Sequence, residues 1–200
     1  PVDSRTAERD YIRRYVFAPW YRRRLRNLRS QVRSSGEQDI PVQLLNGMTM
    51  HVNPNEFVGN RIIRQGTYSF EFIVLIGAIA RAIGRTGLII DGGANIGNHS
   101  LHFATQFDRV LAFEPNPRFA SMLERNLALN GINNVTVCPV GLSNENGSLP
   151  YKVASEYSRA TSRFVSGDAE NADLVLEVRR GDDAIAERGS MRVVAFTAVL

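Results

Sequence analysis

Two acids, Asp91 and Glu114, each end a short apolar run, and a glycine-rich segment follows the first. Residues 88–90 (Leu-Ile-Ile) lead into Asp91 and the turn Gly92-Gly93-Ala94-Asn95-Ile96-Gly97, while residues 110–113 lead into Glu114. Glycines let a backbone approach a ligand closely, and an acid at the next strand end can take both hydroxyls of a ribose. This is the layout of a nucleoside site at the C-terminal edge of a parallel sheet.

The type of nucleoside follows from what surrounds the glycines. A nicotinamide dinucleotide site needs G-x-G-x-x-G, with the pyrophosphate on a helix N-terminus. Here the turn reads D-G-G-A-N-I-G, and an acid facing the loop would repel a pyrophosphate. It would suit the ammonium end of an amino acid. S-adenosylmethionine carries that ammonium, has no phosphate, and keeps a ribose for Glu114. The bland alternative is an ordinary tight βα turn in another α/β protein.

Four segments, DGGANIGNHSL (91–101), VLAFEPNP (110–117), NLALNG (126–131) and VGLSNENG (140–147), resemble the FkbM family of S-adenosylmethionine-dependent methyltransferases. NEFVGNRIIRQGTYSFE (55–71) is also similar to that family's upstream segment, so the resemblance spans about residues 40–150. It implies O-methylation of a hydroxyl on a sugar or secondary metabolite. Taken with the site logic, it sets the methionine end against Asp91, Gly93, Asn95 and Gly97, with Ala94 and Asn98 in the same segment. Glu114 takes the ribose, and Pro115, Asn116, Gly141 and Leu142 flank the adenine. Tyr68 and Glu71 either close over the methionine carboxylate and ammonium or serve as helix capping and packing.

The elements that must position these groups alternate. Residues 40–52 read as two strands around Asn46-Gly47, a dipeptide that favours a two-residue hairpin turn. Residues 69–83 read as an apolar helix stopped by Gly84. Strand 88–91 leads to a helix over about 97–106, and strand 109–113 to a second helix. Asn116 is that helix's N-cap, Pro117 its first position, and Asn130-Gly131 its end. Strand 135–140 follows. Such alternation implies a Rossmann-like parallel sheet with right-handed crossovers. Further on, residues 154–172 read as a polar loop, 174–179 as a strand, Asp183 as the cap of a short helix through 188, and 193–200 as the start of another strand. In the resembled family that strand pairs beside the one ending at Asp91 and leads into a Lys-x-Asp-Val-Glu-Gly segment that is not present here. The expectation is a methyltransferase domain over 39–200, incomplete at its C-terminus, whose last strand is an exposed apolar edge.

The chain has 200 residues and a net charge of +4. Residues 1–38 hold ten arginines against four acids, a balance of +6, leaving the remainder at −2. This basic arm reads as helix over 5–34, interrupted near Pro19, with an apolar stripe of Tyr21, Leu25, Leu28 and Val32. It would lie on an anionic membrane or nucleic acid, or dock its stripe on its own domain or on a partner subunit of a homo-oligomer. No apolar run approaches a membrane span, and no apolar segment follows the basic start as in a secretory signal, so a cytoplasmic location is expected.

The remaining chemistry is sparse. Cys138, the only cysteine, lies in the apolar run 135–140 and reads as a buried, inert thiol. His99 and His102 stand three apart on a helix, but no carboxylate or thiol completes a ligand set, so no metal is assigned. His51 reads as a surface residue. The catalytic base is not identified. Besides the methyltransferase acting on a small hydroxyl acceptor, two readings stay open: a non-enzymatic remnant that still binds cofactor, and an RNA methyltransferase. The −2 balance of the cofactor domain argues against nucleic acid as partner. The acid ahead of the glycines disfavours an oxidoreductase.

Overall fold

In the computed structural model the described residues are 39–84, 86–153, 162–165, 172–187 and the backbone of 193–198. The basic arm, with its stripe and its expected helix, lies outside them. A hairpin opens the described chain: β1 (Ile40–Gln43) pairs antiparallel with β2 (Thr49–Val52). Its connection is wider than the two-residue turn expected. The Leu44 amide bonds the Met48 carbonyl and Gly47 alone takes a positive φ, of 88°, so residues 44–48 form the loop. His51 is half-buried, and its amide donates to Asn126 Oδ1 at 2.9 Å.

Two helices precede the central sheet. Helix α1 (Phe57–Gln65) ends where Gly66 enters the left-handed region at φ 78° and returns its amide to Ile62. Helix α2 (Phe70–Ala82) has the extent expected, with Gly84 just beyond at φ 63°. Next come β3 (Leu88–Gly92), α3 (Asn98–Phe103), β4 (Arg109–Phe113), α4 (Pro117–Leu129) and β5 (Val135–Cys138). Helix α3 is shorter than expected, since residues 104–106 continue only as a turn. Helix α4 is punctuated as its sequence reads: Asn116 Oδ1 accepts the Arg118 amide at 3.0 Å, Pro117 is first, and Gly131 follows at φ 63°. Strand β5 stops at Cys138 because Pro139 has no amide to offer the ladder.

The central sheet runs β10-β3-β4-β5, with β10 at Val193–Ala198, and every neighbouring pair is parallel. This is a Rossmann-like α/β arrangement. As expected, β10 lies beside β3, with Thr197 opposite Asp91. The strand following β3 in sequence lies on one side of it and β10 on the other. The chain therefore reverses direction across the sheet at β3, the switch point where α/β proteins bind ligands.

A second sheet, in the order β6-β9-β7-β8, joins β6 (Gly141–Ser143), β7 (Gly147–Lys152), β8 (Arg163–Phe164) and β9 (Leu174–Arg180). Strand β8 lies within the stretch read as a loop, and β9 pairs outside the parallel sheet. Helix α5 (Gly181–Ala186) has Arg180 at its N-cap, so Asp183 sits in its first turn and is not its cap.

Alternation along β3 and β4 divides the core. Ile89 and Val110 face α2 and Phe103, whereas Leu88, Ile90, Leu111 and Phe113 pack with Cys138 and Ala184 of α5. A third cluster joins Met50 and Val52 of the hairpin, Ile62 of α1, Leu101 and Leu123, all at or near 0% exposure. Each such side chain contributes about 1.5–3 kcal/mol by burial. These clusters hold the ends of β3 and β4 in register.

Candidate functional site

Strands β3 and β4 end side by side, Gly92 opposite Phe113, and this brings Asp91 and Glu114 to one edge. Between them the glycine segment curls over the end of β4. The Gly93 and Ala94 amides both donate to the Phe113 carbonyl, at 2.9 and 3.0 Å. Gly93 (φ 72°), Asn95 (φ 51°) and Gly97 (φ 97°) all occupy the left-handed region. A Cβ at Gly97 would also lie 2.5 Å from Leu123 Cδ1, so glycine there is required twice over.

Glu114 is 3% exposed and fastens the loop. Its Oε2 accepts the Asn95 amide and its Oε1 the Asn116 amide, each at 2.8 Å. Burial pushes its carboxyl up to about 7, with a smaller push from the Asp91 charge, against the two amide hydrogen bonds. Asp91 is fully buried; Ser100 Oγ donates to its Oδ2 at 2.6 Å, and His99 Nδ1 lies 3.9 Å from its Oδ1.

The other predicted residues fall into different settings. Gly93 is exposed at the crest of the loop. Ala94 points into the core, and the Asn98 side chain is committed to the segment before α2. Asn98 Oδ1 accepts from Thr67 Oγ1 and the Tyr68 amide, while its Nδ2 donates to the Tyr68 carbonyl at 2.8 Å. Both residues therefore shape the site from within. Asn116 spends its Oδ1 on capping α4, and Pro115 beside it is half-buried. Gly141 packs under Phe164 and Val178, and Leu142 lies against the cluster around Leu88 and Phe113. Tyr68 stacks on His99 at 6.2 Å, whereas Glu71 is exposed in the first turn of α2.

Four groups were not read as part of the site. Thr67, 1% exposed, links Asn98 to His102 Nε2, 3.0 Å away. Burial lowers His102 to about 4, with a further push from His99. Ser100 orients Asp91. Tyr151 of β7 is buried against Phe164, and the Asn116 and Ser162 side chains lie near enough to its hydroxyl to act on its ionisation. Burial and the Glu114 charge push that phenol up to about 12. The second sheet thus supplies a wall beside Glu114.

The arrangement offers a buried acid under the loop, a second acid held by loop amides, and glycine backbone between them. It fits a ligand with a cationic amino-acid end and a ribose. His99 is buried beside Asp91, and among the described residues its Nε2 has no hydrogen-bond partner.

Over 65 residues the chain is 45% identical to Methyltransferase sdnD of Sordaria araneosa, a stretch covering 31% of this chain and 25% of that protein. It is 36% identical over 63 residues to Methyltransferase 1 of Beauveria bassiana (strain ARSEF 2860), covering 30% of this chain and 25% of that protein. The matched stretch spans about a quarter of the length of these curated relatives. A solved S-adenosylmethionine-dependent methyltransferase from Agrobacterium tumefaciens is similar at a TM-score of 0.39 and 17% identity, covering 52% of this chain and 33% of that one. No family profile matches the chain.

Proposed function

We propose that the chain is the cofactor-binding part of an S-adenosylmethionine-dependent methyltransferase of the FkbM type, acting on a hydroxyl of a sugar or other small metabolite. One observation carries the reading: Glu114 presents a carboxylate at the end of β4 with both oxygens already tied to loop amides, one strand from the buried Asp91. Each oxygen keeps a lone pair for a ribose hydroxyl. The names of the two curated relatives support the same reaction class.

S-adenosylmethionine supplies an electrophilic methyl group on a sulfonium, which a nucleophilic oxygen displaces in line. The residues of this chain bind and orient. Asp91 would face the ammonium, with Ser100 holding its other oxygen in place. Gly93 and Asn95 would offer backbone alongside, and Glu114 the ribose contact. Tyr151 and Asn116 would close the nucleoside side.

Isothermal calorimetry of the purified chain with S-adenosylhomocysteine tests this. Saturable binding that NADH cannot displace is expected. A folded sample that binds no S-adenosyl ligand would overturn it.

A further inference from the structure

The ligand that Asp91 and Glu114 would hold has three parts in a fixed order: amino acid, ribose, base. Asp91 lies in β3 and Glu114 follows β4, the neighbouring strand. A molecule that sets its amino-acid end at β3 and its ribose at β4 carries its base on toward the next strand, β5. The backbone there is close at hand. The Glu114 amide donates to the Cys138 carbonyl at 3.0 Å, at the end of β5, and Pro139, Val140 and Gly141 follow.

Gly141 itself does not form the surface at this end. It is buried, and a Cβ built on it would lie 2.8 Å from both Cε2 and Cζ of Phe164. The Phe164 ring therefore takes the space that the absent side chain leaves. Phe164 of β8 and Tyr151 of β7 are cross-strand partners, so their side chains share a face, and the rings meet edge to face with centroids 5.3 Å apart. Tyr151 is 5% exposed and lies close enough to Glu114 for that charge to act on its phenol. Phe164, in contrast, stays half-exposed, as do Pro115 after Glu114 and Leu142 after Gly141. Tyr151 thus sets an open aromatic ring beside the ribose acid, and Gly141 lets that ring lie against the backbone beyond β5.

We propose that the ring of Phe164 stacks on the adenine of the cofactor, with Gly141 as the seat that admits it. This rests on the S-adenosylmethionine reading and deepens it. A base presents a flat, uncharged π-face, and base–aromatic stacking needs no hydrogen-bonding partner. The part of the Phe164 ring that Gly141, Tyr151 and Val178 leave uncovered is such a surface, on the side of Glu114 away from Asp91.

S-adenosylhomocysteine and 5′-methylthioadenosine share the adenine and differ in the amino acid, so stacking must affect both alike. In calorimetry Phe164→Leu, which keeps apolar bulk over Gly141 and removes the ring, should weaken both ligands in parallel by about tenfold, the scale of one base on one aromatic side chain. Phe164→Tyr, which keeps the ring, should hold both affinities. Phe164→Trp should report the contact by fluorescence: 5′-methylthioadenosine should quench the new indole, with the unaltered chain and its single Trp20 as the blank. That quench decides the matter if the leucine variant misfolds. A phenylalanine that only packed the second sheet would lower the melting temperature of Phe164→Leu and leave both affinities and the indole signal unchanged, which overturns the proposal. Weakening of S-adenosylhomocysteine alone overturns it too. If the unaltered chain binds neither ligand, the S-adenosylmethionine reading fails and the proposal with it. If it binds both and Phe164→Leu binds them equally well, the adenine contact alone fails.

Discussion

Replacing Glu114 by alanine should have two separable effects, because the side chain has two jobs. Toward ligand, the change removes two charge-assisted hydrogen bonds of about 1.5–3 kcal/mol each, enough to weaken S-adenosylhomocysteine at least tenfold. Toward the fold, it strips the Asn95 and Asn116 amides of their acceptors, at about 1–3 kcal/mol per buried orphan. Against that loss stands the cost of ionising a buried acid. The folded-state pKa is raised, from 4.5 to about 7, so Glu114 removes stability as pH climbs through that window. For a shift of this size the cost reaches about 3 kcal/mol at pH 7 and is under about 1 kcal/mol at pH 5. The destabilisation caused by Glu114→Ala should therefore be smaller at pH 8 than at pH 5, by about 2–3 kcal/mol. Urea unfolding at the two pH values reads this directly. Equal destabilisation at both would show that Glu114 titrates as an ordinary surface acid. Unchanged ligand affinity at pH 8 would remove it from the site.

Other outcomes follow from the same geometry. Gly93→Val should abolish S-adenosylhomocysteine binding in calorimetry, because φ 72° strains a β-branched residue and a side chain there would occupy the ligand's approach. His102, lowered from 6.5 to about 4, should take stability away as pH falls through that range, since the unfolded chain binds the proton first. His102→Gln should flatten the acid limb of a melting-temperature profile, and an unchanged limb would place the acid lability elsewhere.

How far the residues announced this site depended on whether their partners were near in sequence. The glycine turn, the two strand-end acids and the punctuation of α4 are local features, and all are present as read. Helix α1 carries a legible stop, Gly66, but its start at Glu56 has no side-chain cap to mark it. The wall beside Glu114 was illegible for a different reason. Tyr151 reaches it only because β7 pairs with β9 across some 25 residues, and a solitary tyrosine in a polar stretch carries no sign of that pairing. The two histidines show the limit most clearly. Three-residue spacing put both on one helix face with no ligand set to complete, and in the fold His102 turns to Thr67 and His99 to Asp91. Spacing fixes which residues share a helix face; it says nothing about what the neighbouring elements bring to each ring.

The proximity of two buried carboxylates bears on which ligand the edge can accept. Burial, with a smaller push from the Asp91 charge, raises the Glu114 pKa, so in the free chain part of Glu114 stays protonated near neutrality. A pyrophosphate would add negative charge and raise it further. A ligand that brings an ammonium to Asp91 and hydroxyl donors to Glu114 does the opposite: it cancels the first charge and solvates the second. Glu114 should then ionise on binding and release its proton. With a free-state pKa of about 7, the release at pH 7 is at most ~0.5 proton per ligand bound. Calorimetry in phosphate and in Tris, whose ionisation enthalpies differ widely, would show it as a buffer-dependent binding enthalpy. Glu114→Gln should erase that dependence while leaving some binding. The same enthalpy in both buffers for the unaltered chain would mean that Glu114 is ionised before the ligand arrives, and the charge argument for a cationic ligand would lose its basis.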